Sequence, residues 1–231
     1  VPCSQRLCAG PHSIAPNGAS ARVCTGPIVR GNRKAAIRAL RYNILLSMRI
    51  AYLDIETNYC GRYVDSRLFK DFKNHKITVI GIRTVEDAND SFVQLVGKDV
   101  TRENLMQALA GVERIVPYNG RSIPDKVKGY IGFDFPVIAA QLGIVLDTEF
   151  KHVDLCPLCW KANLWGGLKA VEQTLGLKRQ LAGKDGKWAD ETWKQYVKTG
   201  RQSLLEDLLA YNREDVFMLR RLEEALAKRR P

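Results

Sequence analysis

Two carboxylates, Asp54 and Glu56, interrupt an apolar stretch of β-forming residues, RIAYLDIETNYC, at positions 49–60. In a strand, side chains two positions apart share a face, so both acids would project in the same direction. Two like charges on one buried face repel each other unless a cation compensates them or the strand end opens to solvent. Carboxylates are the preferred protein ligands of Mg²⁺ and Mn²⁺. The stretch therefore indicates either a divalent metal site or a solvent-facing strand end.

Three residues far along the chain could complete such a site. Tyr211 and Asp215 are four positions apart in YNREDV, inside a pattern that predicts one long helix, so they share a helical face. Asp134 stands at the start of an apolar helical segment, where a carboxylate can cap the helix or meet the positive end of its dipole. Taken singly, a structural Tyr–Asp pair and an ordinary helix cap are the better explanations of these residues.

The elements that would position these residues follow from the periodicity after residue 48. Three strand patterns come first, strands then alternate with helices, and the last third is helical. This order predicts an α/β fold, in which a mixed sheet is flanked by helices. The predicted strands are 49–56, 76–85, 91–97, 113–119 and 149–155, and the predicted helices are 101–111, 133–143, 156–163, 166–176, 189–200 and 203–227.

The first 47 residues differ from the rest of the chain. They contain seven Lys and Arg residues and no Asp or Glu, and they show neither strand nor helix periodicity. We expect a disordered basic leader at 1–47, either an over-extended reading frame or a targeting segment, ahead of a functional domain at 48–231. Six cysteines without a signal peptide favour free thiols, and hence a cytoplasmic location unless the leader is a transit peptide. No apolar run is long enough to span a membrane.

The motifs YLDIET, YNG followed by FDFP, and YNREDV, in this order, resemble the three exonuclease motifs of the DEDD superfamily. These are the DnaQ-like 3′–5′ exonucleases, which have a ribonuclease H-like fold. A tyrosine stands four positions before the last aspartate, and in this the third motif resembles the DEDDy branch. That branch includes the proofreading domain of family B DNA polymerases. The segments WGGLKAVEQTLGLKRQ, GKWADETWKQYV and LLEDLLAYNREDVFML resemble the stand-alone ribonuclease H-like domains of the YprB type. The resemblance covers residues 49–228.

This resemblance implies both a site and an activity. Asp54, Glu56, Asp134 and Asp215 would hold two divalent cations, Mg²⁺ or Mn²⁺, and Tyr211 would help to position the attacking water. The expected fold is a ribonuclease H-like sheet with three antiparallel strands followed by parallel ones. The expected reaction is 3′–5′ exonucleolytic hydrolysis of single-stranded or frayed DNA or RNA, with release of nucleoside 5′-monophosphates. A nucleic-acid-binding or partner-docking module and a structure-specific endonuclease are the alternatives.

The sequence departs from the family pattern in the second motif. Ten residues, IPDKVKGYIG, separate YNGRS from FDFP. Either they are a surface insertion at the mouth of the site, or Asn119 and Asp134 do not belong to one motif and Asp125 is the competing carboxylate. In an insertion, Lys126 and Lys128 could contact substrate phosphates, although a solvated loop is the alternative.

Three other residues are candidate substrate contacts. Thr57 follows the first acidic pair, Asn119 lies in the second motif, and Trp165 lies among tryptophans and cations that could stack bases, although helical packing would also explain those tryptophans.

The CPLC segment has a metal-like spacing of Cys156 and Cys159, with His152 nearby. A structural zinc site normally needs four ligands, and a second pair is missing, so zinc is not expected.

Overall fold

A computed structural model of the chain describes residues 48–60, 71–121, 131–181 and 183–229. Five strands form one sheet in the order β3-β2-β1-β4-β5. The first three strands are antiparallel, whereas β1, β4 and β5 run parallel. The strands are β1 (Ile50–Tyr59), β2 (His75–Glu86), β3 (Asn89–Val96), β4 (Arg114–Val116) and β5 (Lys151–His152).

Seven α-helices flank the sheet in the described part of the chain. They are α1 (Arg102–Ala108), α2 (Asp134–Leu142), α3 (Leu146–Glu149), α4 (Leu155–Lys161), α5 (Leu168–Thr174), α6 (Gly186–Thr199) and α7 (Gln202–Arg229), and short 3₁₀ turns cover Phe72–Asn74 and Gly97–Asp99. The predicted mixed sheet with a helical C-terminal third is confirmed. The single turn of α3 was not predicted, and β4 and β5 are shorter than expected. None of the described helices has the length and apolar character needed to cross a membrane.

The two faces of β1 pack against different helices. Leu53 and Ile55 lie in a core with residues of α1 and α2. Ile50 and Tyr52 lie on the other face, in a second core to which α4, α5 and α7 contribute. This alternation follows from the two-residue period of a strand. Asp54 lies on the same face of β1 as Ile50 and Tyr52, which is the face covered by α7.

The sheet is open beside the acidic part of β1. The parallel pairing of β1 with β4 ends where Tyr52 meets Val116, although β1 continues to Tyr59. Asp54 and Glu56 therefore lie beyond the carboxyl end of β4. Crevices at the carboxyl ends of parallel strands are where α/β folds commonly bind ligands.

Candidate active site

A cluster of three carboxylates lies between β1 and α7. Oxygen atoms of Asp54, Glu56 and Asp215 all lie within 4.8 Å of one another. Among the described residues, no other group of three or more His, Cys, Asp or Glu side chains has a spacing suited to a metal ion. Cys156 and Cys159 are buried in α4 and lie outside any such group.

Asp134, the fourth predicted carboxylate, is the first residue of α2 and is buried. Its Oδ2 atom has no hydrogen-bond partner among the residues that the structure describes. Burial, together with the charges of Asp54, Asp154 and Asp215, raises the pKa of Asp134 well above its ordinary value. A buried carboxylate oxygen without a donor is unlike a helix cap, and it is a natural ligand for a cation.

The carboxyl groups on β1 repel their neighbours. Burial and the Asp215 charge raise the pKa of Asp54 well above its ordinary value, and burial followed by the Asp54 and Asp215 charges does the same for Glu56. Lys169 opposes both shifts. A compact set of oxygen ligands with excess negative charge fits the hard cations Mg²⁺ and Mn²⁺. The three clustered carboxylates could hold such a cation, whereas Asp134 lies outside this group of three.

Asn212, which sequence reasoning missed, orients Asp54. Its Nδ2 atom donates to Asp54 Oδ2 at 3.0 Å, and its Oδ1 atom accepts from Gln94 Nε2 at 3.0 Å. Asn212 and Asp215 are three positions apart in α7, so both face the sheet. This close approach needs Gly81, which pairs with Asp54 across the sheet. A Cβ atom on Gly81 would lie 2.2 Å from Asn212 Oδ1 and 2.8 Å from Val216 Cγ2.

Gly81→Ala is therefore expected to push α7 away from the sheet. Such overpacking typically costs about 1–3 kcal/mol in the free energy of unfolding. Denaturant titration should show this loss. Gly186→Ala is the matched control, because a Cβ atom there meets nothing within 4 Å, and it should leave stability unchanged or slightly raised. Equal stability of the two variants would contradict the tight helix–sheet contact.

Tyr211 lies beside the acidic cluster and contacts Lys169. The ammonium of Lys169 donates a hydrogen bond to the Tyr211 hydroxyl and lies 4.3 Å from the ring centroid. Burial and the charges of Asp215, Glu56 and Asp54 raise the pKa of Tyr211, so its hydroxyl stays protonated. Because its oxygen accepts from Lys169, its proton is free to be donated to a water or a phosphate oxygen.

Arg179 supplies positive charge to the cluster, a contact that the sequence did not predict. Its Nη2 atom donates to Asp215 Oδ1, and its Nε atom donates to Glu172 Oε2 at 2.5 Å. Glu172 is only 1% exposed. Burial raises the pKa of Glu172, and the charge of Arg179 opposes that rise. Arg179 thus joins a buried acid on α5 to Asp215 on α7.

The loop after β4 is held by Asp154, a further residue that sequence reasoning missed. Its carboxylate accepts hydrogen bonds from the backbone N–H groups of Asn119 (2.8 Å), Gly120 (2.9 Å), Arg121 (3.2 Å) and Cys156 (3.0 Å). Asn119 adopts a positive φ of 65°, a conformation that asparagine tolerates better than most residues.

Backbone hydrogen bonds join the two parts of the second motif, residues 119–121 and 132–133. The N–H of Phe133 donates to Asn119 O at 2.6 Å, and that of Gly132 donates to Arg121 O at 2.7 Å. The structure therefore brings Asn119 next to the residue that precedes Asp134, as an insertion requires. Asp125, Lys126 and Lys128 lie outside the described residues.

Two predicted substrate contacts, Thr57 and Trp165, lie beside aromatic side chains. Thr57 Oγ1 lies 3.2 Å from His75 Nδ1. Trp165 is 61% exposed and stacks on Trp160, with ring centroids 6.2 Å apart and planes 16° apart. The Tyr118 hydroxyl donates to Gly166 O at 2.8 Å, which ties the Trp165 loop to the loop after β4.

Comparison with known proteins agrees with this geometry. A family model described as the RNase H superfamily matches residues 51–227. The chain belongs to the RNase H superfamily. A search of curated proteins found no match. Among solved structures, the chain is similar to S. pombe Pop2p in its Mg²⁺- and Mn²⁺-bound form, with 13% identity, a TM-score of 0.37, and coverage of 63% of this chain and 81% of that chain.

The superfamily fold implies a nucleic-acid substrate, and with the acidic cluster it suggests a nuclease that binds metal ions.

Proposed function

We propose that this protein is a metal-dependent 3′–5′ exonuclease of the DEDDy type, similar to the YprB-type domains, and that it acts on single-stranded or frayed nucleic acid. The observation that carries the proposal is the cluster of Asp54, Glu56 and Asp215 oxygens within 4.8 Å. Asp134 adds a buried oxygen that has no hydrogen-bond partner among the described residues, and the charges of Asp54 and Asp215 act on it. The charges of this cluster also act on Tyr211, the residue that distinguishes the DEDDy motif.

Each carboxylate has a role in this proposal. Asp54, Glu56, Asp134 and Asp215 would hold two divalent cations, Mg²⁺ or Mn²⁺. Two such metal ions, when bound, lower the pKa of an attacking water and stabilise negative charge on the leaving oxygen. Asn212 keeps the Asp54 carboxylate in one orientation through its 3.0 Å hydrogen bond.

Tyr211 and Lys169 would act on the reacting groups. The protonated Tyr211 hydroxyl would donate a hydrogen bond to the attacking water or to a phosphate oxygen, and so orient it for in-line attack. Lys169 donates a hydrogen bond to the Tyr211 oxygen, and its positive charge would lie beside the bound phosphate. Together the two residues would select one geometry of approach.

The substrate contacts extend around the site. The exposed ring of Trp165 would stack on a base near the 3′ end, because every base offers a π face and stacking tolerates any sequence. Thr57 and Asn119 would contact the terminal nucleotide, and Lys126 and Lys128 would contact phosphates. The functional domain would be 48–231, with 1–47 as a separate leader.

The test is digestion of 5′-labelled single-stranded DNA and RNA in Mg²⁺ or Mn²⁺, with EDTA as the control. We expect a ladder that shortens progressively from the 3′ end, nucleoside 5′-monophosphates as products, and no cleavage in EDTA. Blocking the 3′ hydroxyl with a terminal phosphate should slow the reaction.

Two outcomes would contradict the proposal. Internal fragments formed equally well from a circular single strand would indicate an endonuclease. Binding without cleavage in either metal would indicate a nucleic-acid-binding module.

A further inference from the structure

A basic cleft lies between α7 and the segment that follows α5. Its volume is about 860 Å³, and six cations line it. We call it the basic cleft and define it by those side chains, which are Arg83, Lys178, Arg179, Arg213, Arg220 and Arg221. Among the described residues, two carboxylates, Glu214 and Glu224, line the same space.

Half of these cations have carboxylate partners. Arg83 pairs with Asp90 at 2.5 Å, and Arg220 pairs with Glu224 at 3.0 Å. Arg179 is bound to Glu172 and Asp215. These three cations are neutralised within the protein.

Lys178, Arg213 and Arg221 have no carboxylate within 4.0 Å among the described residues, and all three are exposed. Arg221 donates to the backbone oxygen of Lys178 at 3.0 Å, so its guanidinium is held in place by a neutral group. Arg213 lies 4.9 Å from the ring centroids of both Phe92 and Phe217. Cations held by neutral contacts keep their charge available for an external anion.

The basic cleft joins the acidic site through Arg179. This residue lines the cleft, and its guanidinium contacts Asp215. Along α7, Arg221 lies six residues beyond Asp215, a rise of about 9 Å. Arg213 and Arg221 lie on the same helix as Asp215, and Lys178 is next to Arg179 in the sequence.

We propose that the basic cleft binds the phosphodiester backbone of a single-stranded nucleic acid on its way out of the active site, through Lys178, Arg213 and Arg221. The inference rests on the proposed function, because it takes the strand end to be at the acidic cluster. Guanidinium groups bind phosphate oxygens in a bidentate geometry, and a nucleic-acid backbone offers such a phosphate at every nucleotide.

The experiment measures binding separately from cleavage. Asp54→Asn protein is titrated with 5′-fluorescein-labelled oligothymidylate and oligouridylate of about 20 nucleotides, longer than typical single-strand site sizes. A cleft variant carries Lys178→Ala, Arg213→Ala and Arg221→Ala. A control variant carries Lys98→Ala, Lys151→Ala and Lys198→Ala, three exposed residues outside the cleft that remove the same total charge.

We expect the cleft variant to bind at least about tenfold more weakly. The slope of log binding constant against log salt concentration should fall in magnitude by about 2, because each phosphate contact on a single strand contributes about 0.7 to that slope. The control variant should keep its slope. In the otherwise wild-type protein, the cleft substitutions should lower kcat/KM for a long strand but not for a dinucleotide.

If oligonucleotide binding weakened equally in both triple variants, the cleft proposal would be overturned. Binding would then depend on the net positive charge of the protein. Competition by polyglutamate as strong as that by an oligonucleotide would instead indicate an acidic polypeptide partner. Salt-dependent binding without hydrolysis would leave the cleft standing and reject the exonuclease. If the cleft substitutions left the hydrolysis of long strands unchanged, the exonuclease proposal would stand and the cleft proposal would be rejected.

Discussion

Replacing Asp54 by asparagine is expected to reduce phosphodiester hydrolysis by at least about 10³-fold, equivalent to about 4 kcal/mol of transition-state stabilisation. The reason is the loss of one carboxylate from a cluster whose oxygens lie within 4.8 Å of one another. An asparagine has nearly the same shape and can still accept the hydrogen bond from Asn212. The fold should therefore persist, and the comparison isolates charge from packing.

Stability provides a second readout of the same substitution. Because burial and Asp215 raise the pKa of Asp54, the ionised group is unfavourable in the metal-free folded protein. Without divalent ions, the variant should be at least as stable as the wild type near neutral pH. Adding Mg²⁺ or Mn²⁺ should raise the melting temperature of the wild type more than that of the variant, because ligand binding stabilises the folded state by mass action.

Asp99→Asn is the control, since Asp99 is exposed and outside the cluster. It should change neither activity nor the response to metal. If Asp54→Asn kept more than about a tenth of the wild-type rate, the loss of transition-state stabilisation would be less than about 1.4 kcal/mol. The cluster would then not be the catalytic centre.

Arg179→Gln is expected to have the largest effect on stability. Removing the guanidinium leaves Glu172 and Asp215, both buried, without their charged partner. Breaking a buried ion pair on one side typically costs about 3–5 kcal/mol. For a chain of this size, that loss corresponds to a fall of about 10 °C in the melting temperature. Calorimetry or denaturant titration of the metal-free protein should detect it.

Two changes should reduce this deficit. Arg179→Gln combined with Glu172→Gln removes both charges of the Arg179–Glu172 ion pair. This double variant should recover part of the stability, because no unpaired buried charge remains on α5. Lowering the pH should also reduce the deficit, since burial raises the pKa of Glu172 and the unpaired acid then takes up a proton.

Arg83→Gln is the surface comparison. Its partner Asp90 is 40% exposed, so the loss should stay below about 1 kcal/mol. Similar losses for the two arginine variants would show that the Arg179 network does not depend on burial.

Patterns within single elements predicted much of this protein. The alternation of β1 placed Asp54 and Glu56 on one face, and the helical period of α7 placed Tyr211 and Asp215 together. The order of strands and helices predicted the mixed sheet. These predictions succeed because the geometry of one strand or helix depends on spacing along a short segment, which the sequence states directly.

Residues that act across elements were not predictable in this way. Asp154 binds backbone N–H groups of the loop at 119–121, more than thirty positions away, and Lys169 reaches Tyr211 from another helix. Arg179 has no spacing signal toward Asp215. Such contacts depend on how α5 and α7 pack over the sheet, so only the folded chain brings them together.

By itself the sequence determined which acids this protein brings to one strand face and one helix face, and the order of elements that carry them. Only the tertiary structure decided the surroundings of these acids. Within the described part of the chain, the Asp134 oxygen has no hydrogen-bond partner, Arg179 joins Glu172 to Asp215, and the basic cleft lies beside Arg179. The physical reason is that charge compensation depends on distance in space. In a folded chain, that distance is set by helix–sheet packing.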